Sequence, residues 1–223
     1  MKQFLAAVKR VSSLFGNVDT EGASVKDWQL VLARAAVGLV IALAGGIVAS
    51  LVSRDHIIAG VLGTVAALAV RFFICPKSES SGVAQVARLV TPAGIDANYA
   101  QMFFFALTFL RPLCIFLLMM RGQWLWLVVV MALSEAVVLE LENTHMSLPV
   151  WGAAWGVALV FGALENSLTS LNANAFLLSL IVCAIAWMLP AVYQRLNIRL
   201  SREAALYVSE ALVLLLGVLG MAM

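Results

Sequence analysis

The chain has 223 residues, 63% hydrophobic and 12% charged, with a mean hydropathy of +1.01 and a formal net charge of +2. A water-soluble domain is nearer 45–50% apolar and about 25% charged, so an excess this large has no place inside a soluble core of this size. That excludes a soluble globular enzyme, and so small a net charge gives no sign of a nucleic-acid partner.

Long apolar runs rich in helix formers favour membrane helices over a barrel. The expected fold is all-α: a polytopic membrane helical bundle of about seven transmembrane helices plus an amino-terminal interfacial helix. Residues 1–29 read as a cytoplasmic amphipathic helix and loop. Residues 30–223 read as one transmembrane domain with a cytoplasmic connection at 75–98.

In chain order, residues 2–15 (KQFLAAVKRVSSLF) gather Phe4, Leu5, Val8, Val11 and Phe15 on one helical face, away from Lys2, Lys9 and Arg10. That pattern predicts a helix lying in the cytoplasmic interface, where headgroups attract cations; a simple basic flank is the alternative. No signal peptide is read here, because Lys9 and Arg10 break the apolar region and no cleavage pattern follows. The predicted spans are 30–52, 57–74, 99–120, 124–140, 150–164, 174–193 and 204–222. The fifth is short against the roughly 20 residues a crossing takes, so a re-entrant segment is its alternative.

Lysine and arginine counts set the orientation. Lys2, Lys9, Arg10, Lys26, Arg71, Lys77, Arg88, Arg195, Arg199 and Arg202 fall on one side, and Arg54 and Arg121 on the other. The bias predicts a bacterial or archaeal cytoplasmic (inner) membrane protein with its amino terminus in the cytoplasm and its carboxyl terminus outside. Trp124, Trp126, Trp151, Trp155 and Trp187 read as interfacial anchors. Gly38, Ala42, Gly45, Gly46 and Ala49 form a small-residue surface for packing within the bundle or in an oligomer.

Ionisable residues inside a membrane are costly and point to function. Arg34 lies near the start of the first span and reads as snorkelling to the interface. Arg111 stands beside Pro112, which kinks the third span. Glu135 lies deep in the fourth, and an Arg111–Glu135 ion pair between consecutive helices is the simplest account of both. The alternatives are a polar cavity and an anionic ligand. Glu210, inside the last span, has no evident partner in the sequence.

Other chemistries find little footing. Cys75, Cys114 and Cys183 lack ligand spacing and read as small core residues. His56 and His145 are isolated. There is no GxxxxGK[ST] and no GxGxxG, and the four aspartates (Asp19, Asp27, Asp55, Asp96) all lie outside the apolar cores. That leaves no paired-aspartate pattern of the CDP-alcohol phosphotransferase kind.

Several stretches, in order, resemble the cobalamin (cobamide) synthase family, membrane enzymes that join adenosylcobinamide-GDP to α-ribazole phosphate. They are KQFLAAVKRVSSLFG, LARAAVGLVIALAGGIVAS with Arg34, FALTFLRPLCIFLLMMRG with Arg111, ALSEAVVLELE, and SREAALYVSEALVLLLG with Glu210. The family's signature, His-Leu-Asp-Gly-Leu-Ala-Asp-Thr-x-Asp-Gly, would fall on FFICPKSESSGV. There Phe73 replaces the histidine, Cys75 the first aspartate, Pro76 its glycine and Glu79 the second aspartate, and the third aspartate is lost before Gly82. Ala97-Asn98-Tyr99-Ala100 replaces a later Gly-Thr-His-Gly, and Ser134-Glu135 reverses the charge of a Ser-Arg pair.

Transfer onto a diphosphate-linked substrate relies on divalent metal ions held by carboxylates, and one glutamate cannot replace three aspartates. The resemblance therefore implies a non-catalytic or repurposed paralogue acting as a binding or assembly subunit. No metal site is expected, with Glu79 its ligand if there is one. Lys77, Arg34, Arg111 and Glu135 are the expected ligand- or cavity-facing residues. The ligand implied is a corrinoid or nucleotide, and the partners are the lipid bilayer and a homo- or hetero-oligomer. The alternatives are an active divergent ribazoletransferase using magnesium with Glu79 and Glu210 as catalytic candidates, and a small transporter or membrane-complex subunit.

Overall fold

A computed structural model describes residues 2–12, 24–52, 55–75, 78–90, 97–143, 147–168, 174–195 and 200–220. Among them are nine helices and no strand. They are α1 (Lys2–Val11), α2 (Asp27–Val52), α3 (His56–Ile74), α4 (Ser78–Val90), α5 (Ala97–Met120), α6 (Trp126–Asn143), α7 (Leu148–Leu168), α8 (Asn174–Arg195) and α9 (Arg202–Gly220).

Six of these, α2, α3, α5, α7, α8 and α9, are long and apolar enough to cross a membrane. The chain is an integral membrane protein built as a helical bundle. The seventh long helix, α6, carries Glu135, Glu140 and Glu142 in 18 residues and occupies the centre. Every residue of it from Trp126 to Leu139 is buried. Around it pack α2, α7, α8 and α9. A helix that is apolar around most of its circumference buries most of its faces, and the outer helices shield Glu135 from lipid. The outer helices turn Phe72, Phe73, Met102, Phe105, Phe109, Leu177 and Met188 outward, as a lipid-facing surface requires.

Local chemistry sets the helix ends. The Asp55 carboxylate caps α3, accepting from the backbone N–H of Ile57 at 2.8 Å and of Ile58 at 3.3 Å. Gly122, at φ 73°, closes α5, with Gly122 N donating to Met119 O and Gln123 N to Leu118 O. That paired pattern uses up carbonyls the helix would otherwise leave bare, and it needs a residue free to adopt the left-handed region.

Several expectations change. The span expected at 150–164 is a full 21-residue helix, so length gives no reason for a re-entrant segment. Within the connection at 75–98, the short helix that the spacing of Gly82 to Val90 suggests is α4, which starts earlier, at Ser78; its Val83, Val86 and Ala87 are buried, and with Ala204, Tyr207 and Ala211 of α9, Val83 and Val86 form a small core of their own. The amino-terminal helix lies against protein: Ala6, Ala7, Val8 and Val11 are buried, and it packs on α2. Phe4 remains exposed, and Phe15 lies outside the described residues. Trp126 and Trp151 are core residues, whereas Trp155 and Trp187 meet edge to face on the partly exposed surface. The small-residue stripe of α2 is spent inside the bundle, with Gly38 against Leu127 and Met131, Gly45 and Ala49 against Gly63, and Gly46 against Trp124.

One end of the bundle collects the basic residues. Asn143 Nδ2 donates to Asp27 Oδ2 at 2.8 Å, and Arg202 Nη1 stands 2.5 Å from Glu142 Oε2. These contacts bring the start of α2, the end of α6 and the start of α9 together. Lys9, Arg10 and Cys75 border a cavity at the same end.

Candidate functional site

Four helices bring one carboxylate and three guanidinium groups together. Glu210, on α9, is fully buried. Its Oε1 stands 2.7 Å from Arg34 Nη2 of α2. Its Oε2 stands 2.5 Å from Arg71 Nη2 of α3 and 2.9 Å from Arg111 Nη2 of α5. All three arginines are at most 7% exposed. Each sits where its own helix places it on the inner face, and Gly45, Gly63, Ala49 and Ala67 let α2 and α3 approach closely.

The geometry around the cluster is specific. Arg34 Nη1 also donates to Val11 O at 3.2 Å and lies 3.9 Å from Cys75 Sγ, which ties α1 and the end of α3 to the site. Its Nε is buried without a hydrogen-bond partner. Arg71 Nη1 lies 3.9 Å from Met131 Sδ. Arg111 stacks its guanidinium 4.3 Å above the ring centroid of Tyr207, whose hydroxyl donates to Leu107 O. An arginine held on an aromatic face and by a carboxylate keeps a fixed fork, and forks of this kind match phosphoryl and carboxylate groups.

Above the cluster, at the basic end, lies a cavity of about 330 Å³. Lys9, Arg10, Arg34, Arg111 and Arg202 line it together with Glu135 and Glu203. A second cavity of about 260 Å³ opens on the other side of Arg111, between α3, α4, α5 and α9.

The residues expected to carry function fare differently. Arg34, Arg111, Glu135 and Glu210 all come to this region. Arg34 does not snorkel; it is buried and bound to Glu210. Arg111 does not pair with Glu135, because α5 packs on α3, α4 and α9 while α6 packs on α2, α7, α8 and α9. Arg111 is held by Glu210, and Glu135 by Arg202. Glu210 therefore has three partners where the sequence suggested none. Both of its oxygens are engaged by guanidinium groups. Glu79 falls in the first turn of α4, and Lys77 lies outside the described residues.

Three residues escaped the sequence reading. Arg71 and Arg202 were counted as loop charges, although Arg71 lies three residues inside the end of its span. Glu165, a further buried carboxylate, lies one position past the predicted end of the fifth span and faces the interior of α7. Helical periodicity extended by one turn at each end would have flagged both Arg71 and Glu165. Compared with protein-family models, with curated proteins and with solved structures, the chain matches none.

Proposed function

We propose that this membrane protein is a non-catalytic relative of the cobalamin synthases, a binding or assembly subunit that takes an anionic, phosphate-bearing ligand of nucleotide or corrinoid-nucleotide type at its basic end. The observation that carries the reading is the Glu210 carboxylate held by Arg34, Arg71 and Arg111 beneath a cavity bordered by Lys9, Arg10 and Arg202. Buried guanidinium groups fixed in place before a ligand arrives lose little freedom on binding, which favours a phosphoryl anion. The buried Arg34 Nε is a donor already desolvated and in need of an acceptor.

The same geometry speaks for binding over transfer. Glu210 offers both oxygens to arginines, so it is poorly disposed to hold magnesium for the active alternative. In the proposed orientation the basic end faces the cytoplasm, where a soluble nucleotide-linked molecule can reach the cavity.

The test uses the full chain in nanodiscs. Adenosylcobinamide-GDP should bind, and the Lys9→Ala/Arg10→Ala double variant should weaken that binding about tenfold, or 1.4 kcal/mol. With α-ribazole phosphate and magnesium added, no GMP should be released. Steady formation of cobamide phosphate would overturn the non-catalytic reading, and equal affinity of the double variant would overturn the cavity as the binding place.

A further inference from the structure

The second cavity differs in kind from the first. Leu68, Val83, Phe104, Pro112, Ile115 and Tyr207 make its walls apolar. Arg71 and Arg111 close its inner end. Thr108, which also lines it, is exposed on the outer face of α5, where its hydroxyl is spent on Phe104 O at 2.7 Å. Its neighbours on that face, Phe105 and Phe109, are exposed as well. The cavity therefore runs from the lipid-facing surface inward to two fixed guanidinium groups.

Depth matters too. Arg71 lies three residues before the end of α3, about 5 Å along its axis at 1.5 Å per residue. Glu210 lies eight residues into α9, about 12 Å from its start. Arg111 lies fourteen residues into α5, so the cationic groups stand from one to several turns inside the basic end of the bundle.

We infer that this lateral cavity binds a lipid with a phosphoryl headgroup, whose phosphate meets Arg71 and Arg111 and whose chain lies along Leu68, Phe104 and Ile115. A neutral hydrocarbon makes no use of two guanidinium groups, and a soluble nucleotide makes no use of apolar walls open to the bilayer. One amphipathic anion uses both. Arg111 is oriented for it by the Tyr207 ring, which is itself part of the wall. The two cavities share Arg111 as a lining residue, and Arg71 and Arg111 also belong to the Glu210 cluster of the proposed function, so the two readings share these groups and differ in the apolar walls and lipid-side opening.

The experiment uses the full chain in phosphatidylcholine nanodiscs doped with a phosphatidic acid whose acyl chain carries a diazirine. Cross-linked peptides are mapped by mass spectrometry. Labelling should concentrate on the facing segments of α3 and α5, and excess phosphatidic acid should compete it away while excess phosphatidylcholine does not. Thr108→Trp, which fills the outer mouth, should lower the labelling about tenfold with the melting temperature kept. Labelling spread evenly over all outward helix faces would overturn the inference. Equal labelling by a diazirine phosphatidylcholine, or competition by inorganic phosphate and phosphatidylcholine as strong as by phosphatidic acid, would do the same. The competition on the unaltered chain decides the matter even if the tryptophan variant fails to fold.

Discussion

Arg111 on α5 and Glu210 on α9 meet at 2.9 Å, although 99 positions of chain separate them. Arg34 and Arg71 share the same carboxylate from two further helices. Among the described residues, Glu210 is the acid on which α2, α3, α5 and α9 are tied at the basic end. In a low-dielectric interior such a cluster is expensive to form and more expensive to break, because every partner left behind is still charged.

Glu210→Gln should accordingly be the most damaging single change in the chain. It leaves three buried guanidinium groups around a neutral amide, and loss of roughly 3–5 kcal/mol is expected. Arg34→Met should cost less, since Glu210 keeps Arg71 and Arg111. Denaturant titration of the detergent-solubilised protein reads both. Equal midpoints for Glu210→Gln and the unaltered chain would mean that the cluster is not a buried ion network.

Arg202 separates a buried from an exposed carboxylate. Its Nη2 binds Glu135, which is 1% exposed, and its Nη1 stands 2.5 Å from Glu142, whose side chain is 43% exposed. Removing the exposed partner, Glu142→Gln, should cost at most about 1 kcal/mol. Arg202→Met should cost several-fold more, because Glu135 is stranded. Adding Glu135→Gln to Arg202→Met should restore much of the loss, a coupling that a double-mutant cycle measures. Additive costs would contradict the pairing.

The six helices long and apolar enough to cross a membrane were legible because apolar length is a property of each segment alone. The pairing of charges was not. Arg111 and Glu135 looked matched because their helices are consecutive, yet α6 turns inward to the centre while α5 stays outside against α3. Which helix becomes central depends on how all the others pack, and no single segment contains that information. Arg71 illustrates a second limit. A residue within one turn of a helix end reads equally as loop or interior, and the contact with Glu210 of α9, an element distant in sequence, sets Arg71 in the interior.

Glycines at the α2–α3 crossing give a sharp contrast in substitution. A Cβ on Gly45 would come within 2.9 Å of Gly63 O and 3.0 Å of Ala67 Cβ, and one on Gly63 within 2.9 Å of Gly45 O. Backbone cannot give way as a side chain does, so Gly45→Val should force the helices apart and cost about 1–3 kcal/mol. Gly152 has open space where its Cβ would stand. Gly152→Ala should be neutral or stabilising by up to about 1 kcal/mol, the helix-propensity gain alone. Melting curves should place Gly45→Val below the unaltered chain and Gly152→Ala level with it or above.

Topology offers a test that needs no ligand. Ser201 is exposed at the basic end, and His56 is exposed at the start of α3, at the opposite end. With Cys75, Cys114 and Cys183 replaced by alanine, Ser201→Cys and His56→Cys each provide one thiol for a membrane-impermeant maleimide. If the cationic end lies in the cytoplasm, intact cells should label only the His56→Cys protein, and inverted vesicles only the Ser201→Cys protein. The opposite pattern would reverse the bundle and turn the cavity bordered by Lys9 and Arg10 away from cytoplasmic nucleotides. It would leave the Glu210 cluster itself untouched, because that cluster is held by helix packing and not by the side on which the arginines began.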